Sequence, residues 1–233
     1  RYLAREDSSV IGMLGSGGMA RAYLPAFCAV RKITKVKIYS PTKAHREAFA
    51  EEMTKELGIP VEPFDRTEPV VRGSDIVATC TDSNKLVVTD QNLIEKGMHL
   101  ANCSSKEFSW DIVKRCDIVV QVGSETFGAK GGMADSERHH GWASWVVGDA
   151  EQQARIPKRP VSNLDFVNYP ALTELLNDPT KRRSSPEQIT FFHNLGLLGF
   201  QFAAVAAKAY NLAREKGVGL EMSTDPFLQD IRD

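Results

Sequence analysis

Cysteine is scarce and unpatterned in this chain. Cys28, Cys80, Cys103 and Cys116 include no C-x-x-C pair, and no histidine stands at zinc spacing from them. Neither a disulfide framework nor a metal site is expected. Three of the four fall in or beside expected strands, where a reduced thiol behaves as a small hydrophobe, so a reducing cytoplasm fits best. Excess charge of one sign is missing too. A formal net charge of −1 speaks against a dedicated nucleic-acid or membrane-surface binder. A clean membrane-length apolar run is also absent. The longest, Ile189 to Ala207, is interrupted by His193, Asn194, Gln201 and two glycines, and reads as buried helix. There is no signal peptide, internal repeat or low-complexity tract, and the first residue is arginine. A processed product or a fragment is therefore expected.

What is present is room for a core: 233 residues, 42% of them hydrophobic, enough for one large or two modest domains. The most informative stretch is Val10 to Ala20. An apolar run, Val10–Leu14, enters Gly15-Ser16-Gly17-Gly18-Met19-Ala20, after which Tyr23, Leu24, Phe27 and Val30 recur at helical spacing. Strand, glycine turn and helix in that order form the context of a dinucleotide fingerprint. Gly15 permits the tight turn, Gly17 admits a pyrophosphate to the backbone, and Ala20 lets the helix pack closely on the strand. The positive helix end then faces the phosphates. Pro25 predicts a kink or a short first helical segment.

Further strands are expected at Lys35–Tyr39, Val61–Phe64, Asp75–Cys80, Met98–Asn102 and Asp117–Val122. Helices are expected from Thr42 to about Leu57 and over Asp111–Arg115. This alternation predicts an α/β fold, a doubly wound, mostly parallel sheet of the Rossmann type. Ligands bind such sheets at the carboxyl ends of the strands. That gathers Gly15–Ala20, Ser40–Lys43, Cys80, Thr81, Asp82, Ser83 and Asn102–Ser105 around one crevice. Ser124–Arg159 reads as loops plus one short strand or helix closing a nucleotide domain over residues 1–160. Residues 161–233 read as helical. Ser185-Pro186-Glu187-Gln188 predicts a helix start with cap, first-turn proline and capping-box glutamine. The glycines at 196 and 199 mark close packing against backbone or ligand.

The end of the second expected strand decides the dinucleotide. NAD binding normally uses a carboxylate there. This chain instead has Ser40-Pro41-Thr42-Lys43, with Arg46 one turn later. Two hydroxyls and two cations suit the extra phosphate of NADP(H), which carries roughly −1.5 to −2 charges. NADP(H) is therefore favoured over NAD(H), with Ser40, Thr42, Lys43 and Arg46 as its contacts.

Gly15–Arg21, Ser74–Ser83, Gly97-Met98-His99 and Arg115–Val120, with Glu187–Phe191 and Asn194-Leu195-Gly196, together resemble the ornithine cyclodeaminase and mu-crystallin family. The resemblance implies a Rossmann domain joined to a second domain that holds a small amino-acid or imine substrate and forms a homodimer. It implies hydride exchange at a carbon–nitrogen bond: cyclodeamination, imine reduction or amino-acid dehydrogenation. It also implies that Asn194 and Gly196 approach the nicotinamide.

Two departures stand out. The family's substrate-gripping arginine and lysine would precede Arg1, so the substrate and dimer domain is largely absent. The family's Gly-Ala-Asp stretch is replaced by Cys103-Ser104-Ser105-Lys106-Glu107-Phe108, without the proton-handling aspartate. No catalytic residue is assigned, and the reading leans to a reductase or dehydrogenase. A non-enzymatic NADPH-binding protein and a pyrroline-carboxylate-reductase-like enzyme are the alternatives. Glu107 reads as a helix-start carboxylate, His139 and His140 as solvated loop residues, and His193 as a hydrogen-bonded core residue within a helix.

Overall fold

The computed structural model describes residues 1–83, 85–104, 107–122, 166, 169–194, 198–223 and 225. Chain order is β1 (Val10–Leu14), α1 (Gly18–Cys28), β2 (Lys35–Tyr39), α2 (Lys43–Leu57), β3 (Val61–Phe64), α3 (Glu68–Val71) and β4 (Ile76–Thr79). There follow β5 (His99–Asn102), α4 (Trp110–Arg115), β6 (Ile118–Gln121), α5 (Leu172–Asn177), β7 (Thr190–His193) and α6 (Leu198–Lys216). Among the described residues the strands form one sheet in the order β3-β2-β1-β4-β5-β7-β6. Every pairing in it is parallel. The strand order reverses between β1 and β4, where a crevice opens at the carboxyl edge.

Burial on both faces explains why β1, β4 and β6 read as short apolar runs, while β2, half-buried on one face, alternates. Ile11 and Met13 of β1 pack with Ala20 and Leu24 of α1 and Phe49 and Met53 of α2. Leu14 points the other way, to Val70 and Val71 of α3 and onward to Phe108, Ile112 and Phe191. Gly12 is required where α3 crosses, because a Cβ there would lie 2.3 Å from the Val70 carbonyl oxygen. Helix α1 runs unbroken through Pro25 over 11 residues, where a kink or short first segment is expected from the sequence.

The expected helix from Ser185 is corrected by the structure. The local cap does form: Gln188 Oε1 accepts the backbone N–H groups of Ser184 and Ser185 at 2.8 and 3.0 Å. It closes only a turn, and the chain then enters β7 between β5 and β6. Thr190, Phe191 and His193 are all buried there. β-Branched and aromatic residues suit a sheet buried on both faces, and that packing outweighs the local helix signal. Arg183 seats this entry, donating to the carbonyls of Leu3 (2.6 Å), Gln188 (2.5 Å) and Gly97 (3.1 Å).

The chain divides into two compact units, Arg1–Gly196 and Leu197–Asp233. The second contains α6, whose Phe202 and Val205 are exposed, so Ile189–Ala207 is not one buried helix. No helix among the described residues is long and apolar enough to cross a membrane. All of Ser124–Arg159, with His139 and His140, lies outside the described residues, as does the expected boundary near residue 160.

Candidate functional site

The carboxyl ends of β1, β2 and β4 open onto a cleft of about 750 Å3, within the range of ligand sites. Its first wall is the β1–α1 turn, with Gly15, Ser16, Gly17, Gly18 and Met19 all on the surface of the cleft. Gly15 sits at φ +105°, and a Cβ there would lie 2.2 Å from the Cys80 carbonyl oxygen. Only glycine fits that corner. Gly17 and Gly18 differ: a Cβ on either meets no atom of the chain within 4 Å. Their missing side chains leave open space above the start of α1. Gly17 makes no side-chain cap to the helix, and the first turn carries no acidic residue. The leading N–H groups of a helix lack intrahelical partners, so this end offers donors and positive potential to an anion. Ala20 is fully buried in the α1–β1 contact, behind the cleft.

The second wall is the β2 end. Tyr39, Ser40 and Pro41 line the cleft. Arg46 Nη1 donates to the carbonyls of Ser40 and Pro41 at 3.1 and 3.2 Å, which holds its guanidinium against the strand end. Thr42 is the cap residue of α2. Lys43 is exposed and lies 3.8 Å from Glu47. Among the cleft's lining residues the single carboxylate is Asp82, on the β4 side, so none of the residues lining the cleft at the β2 end is acidic. His45 and Thr67 also line the cleft and were not anticipated. A signal for His45 did exist: it falls on the first turn of α2, just past the strand end.

The floor is built by Cys80, Thr81, Asp82, Ser83 and Cys103, with Leu86 and Val87 as further unanticipated lining. Beneath it lies Glu107, fully buried. One carboxylate oxygen accepts the Thr81 N–H at 2.7 Å and its hydroxyl at 2.8 Å; the other accepts the N–H groups of Cys103 and Ser104, each at 2.8 Å. The expectation of a helix-start carboxylate is thus corrected, since α4 begins later, with Ser109 as its cap residue. Four donors from two strand ends hold this charge in place of water.

Asn102 lies under the floor, not on the cleft surface. Its amide donates to the Ser104 carbonyl at 2.7 Å and its oxygen contacts His193 Nδ1 at 3.0 Å. His193 is a hydrogen-bonded core residue as expected, although it sits on β7 and stacks on Phe166 at 3.7 Å. Asn194, just past β7, donates to the Tyr23 hydroxyl of α1. Gly196 lies outside the described residues. No group of three metal-ligating side chains occurs among the described residues.

Comparison with known proteins gives a consistent set of relatives. A Δ(1)-pyrroline-2-carboxylate reductase of Bacillus cereus is 25% identical over 224 residues, covering 94% of this chain and 62% of that protein. An ornithine cyclodeaminase of Agrobacterium fabrum is 25% identical over 211 residues, covering 88% of this chain and 51% of its own length. The structure of Thermococcus litoralis Δ(1)-pyrroline-2-carboxylate reductase, solved with NADH and L-proline, superposes with a TM-score of 0.73. It is 27% identical, with 95% of this chain and 63% of that one covered. The chain thus spans between half and two thirds of the length of these relatives. The family model described as ornithine cyclodeaminase/mu-crystallin matches residues 1–217, and this chain belongs to that family.

Proposed function

We propose that this chain is the dinucleotide-binding part of an enzyme that moves hydride at a carbon–nitrogen bond of a small amino acid or cyclic imine. The carrying observation is the cradle over α1, where Gly17 and Gly18 leave empty the space a diphosphate needs. Names carried by the relatives supply the reaction class, since reductases of a cyclic imine and ornithine cyclodeaminases share the match. When bound, a nicotinamide dinucleotide supplies or accepts the hydride.

The chain's own residues have distinct tasks in this reading. The N–H groups opening α1 neutralise the diphosphate, and Gly15 and Cys80 hold the loop against the β4 end. Thr81 and Ser83 offer hydroxyls on the floor, while Asp82 offers a carboxylate to ribose hydroxyls. Asn194, held on Tyr23, stands at the carboxyl end of β7 where the nicotinamide side of the site is expected. The substrate-holding and dimer-forming parts belong to a longer molecule, which acts as a homodimer.

Preference for NADP(H) belongs to the same proposal. At the β2 end the cleft offers Ser40 and the guanidinium of Arg46 just behind it, with Thr42, Lys43 and His45 on the adjoining turn. None of the residues lining the cleft at that end is a carboxylate that would repel a 2′-phosphate. Fluorescence titration of the purified chain with NADPH and NADH tests this. NADPH is expected to bind at least about tenfold tighter, a difference of about 1.4 kcal/mol. Equal affinities would remove the phosphate reading, and no binding of either would remove the dinucleotide reading. In the longer molecule, cyclic imine added with NADPH should consume the reduced nicotinamide. Release of ammonia from ornithine without net cofactor turnover would favour the cyclodeaminase outcome instead.

A further inference from the structure

The cleft floor holds two thiols that the proposed hydride chemistry does not use. Cys80 and Cys103 follow directly on β4 and β5, whose ends pair Thr79 with Asn102. Their sulfurs are 3.7 Å apart. Neighbouring strands run about 4.8 Å apart, inside the Cα separation that a disulfide spans. Cys80 is buried beneath the β1–α1 turn, while Cys103 is half-buried, and both line the cleft.

We propose that Cys80 and Cys103 are a peroxide-reactive dithiol whose closure to a disulfide deforms the phosphate loop and shuts the nucleotide cleft. The gating half rests on the dinucleotide reading above; the thiol chemistry does not.

The surroundings select Cys103 as the attacking sulfur. Hydrogen bonds shared with the Cys80 thiol and the Tyr23 hydroxyl hold it below the ordinary thiol range, against burial and the nearby Glu107 carboxylate. Asn194 donates to the Tyr23 oxygen, which leaves the Tyr23 proton for the sulfur. The other thiols go the opposite way. Contact with Cys103 and burial push Cys80 up, burial raises Cys28, and burial with Asp117 takes Cys116 to about 12. Thiolate character and access decide which cysteine meets an oxidant.

In the first step the Cys103 thiolate attacks one oxygen of hydrogen peroxide. The O–O bond breaks, and the departing hydroxide takes a proton to become water, leaving a sulfenic acid. In the second, Cys80 sulfur attacks Cys103 sulfur and displaces the sulfenic oxygen, which leaves as a second water with the Cys80 proton. Two thiols are oxidised by two electrons, and one peroxide is reduced; a small dithiol reverses the process. Closure from 3.7 Å to about 2.05 Å draws the two cysteines together across the strand ends. Glu107 pins the Cys103 N–H, while Cys80 is tied to the end of β1, its N–H on the Leu14 carbonyl at 2.7 Å and its carbonyl against Gly15, so a shift of Cys80 passes to the phosphate loop.

The test oxidises the reduced chain with equimolar hydrogen peroxide, caps residual thiols, and maps peptides by mass spectrometry. A Cys80–Cys103 linked peptide is expected. NADPH affinity should fall at least tenfold and return with dithiothreitol, and saturating NADPH should slow the linkage. In Cys80→Ser, oxidation should stop at the sulfenic acid of Cys103 or proceed beyond it, with no link. A reduced Cys103 after treatment, or a link between other cysteines, would overturn the dithiol. A linked protein that binds NADPH unchanged would overturn the gating. Failure of the reduced chain to bind any nucleotide removes the cleft reading and the gating together, while the peptide map still decides the thiol chemistry.

Discussion

Glu107 takes both the backbone N–H and the hydroxyl of Thr81 on a single carboxylate oxygen, at 2.7 and 2.8 Å, from 26 residues away in sequence. The same side chain holds Cys103 and Ser104, so one buried charge sets the spacing of the β4 and β5 ends. Glu107→Gln replaces an acceptor oxygen by an amide facing a donor, and Glu107→Ala leaves the donors without a partner. Either should cost about 3 kcal/mol, the alanine more. Urea unfolding reads this loss, and a change below about 1 kcal/mol would deny Glu107 its structural role.

Gly17 separates folding from binding. Serine is a preferred cap residue, and the added atoms meet nothing in the chain. Gly17→Ser should therefore keep or slightly raise the melting temperature. Its hydroxyl would take the helix N–H groups that the diphosphate needs, so NADPH affinity should fall at least about tenfold. Gly15→Ala should do the reverse and unfold the chain first, because of the left-handed φ and the Cys80 carbonyl. Paired melting and titration curves distinguish the two.

The cofactor choice is tested at one strand end. Ser40→Asp places a carboxylate where NAD-binding sheets carry one. NADPH should weaken by about a hundredfold relative to NADH, near 2.7 kcal/mol. An unchanged ratio of dissociation constants would mean that the extra phosphate does not lie at the β2 end.

His99 predicts an acid limb of stability. Its ring is buried on β5 with Nδ1 2.9 Å from the Thr190 hydroxyl. Burial first, then the guanidinium groups of Arg183 and Arg31, take it down to about 3. The unfolded chain titrates near the ordinary 6.5 and binds the extra proton between these values. The contribution is therefore full above about pH 6.5 and is lost as pH falls toward 3. By pH 5 the loss is about 2 kcal/mol, at roughly 1.4 kcal/mol per unit. Melting curves of the wild type and His99→Gln between pH 7 and 5 should converge as pH falls.

The first six strands and the phosphate loop are legible because each strand is a short apolar or alternating run, and several are closed by glycine, proline or aspartate. Their order follows from alternation with helices. The seventh is not, for Ser185–Gln188 forms a genuine local cap and Thr190–His193 merges with the apolar helix beyond it. Only pairing with strands many residues upstream marks that run as sheet. Glu107 is illegible for the same reason, since its donors come from loops that a linear reading does not bring together. Lys43 and Arg46 are visible as cations, but the Arg46 bonds to the strand-end carbonyls belong to folded geometry alone.

The position of β7 also orders events during synthesis. Among the described residues β6 pairs with no strand but β7, which leaves the ribosome about seventy residues later. The nascent β1–β5 half can assemble from neighbouring segments, whereas β6 waits with an open edge until the late strand slots in. A stalled or clipped product ending before Thr190 would retain the phosphate loop but expose an unpaired β5 edge. Such truncated chains should aggregate.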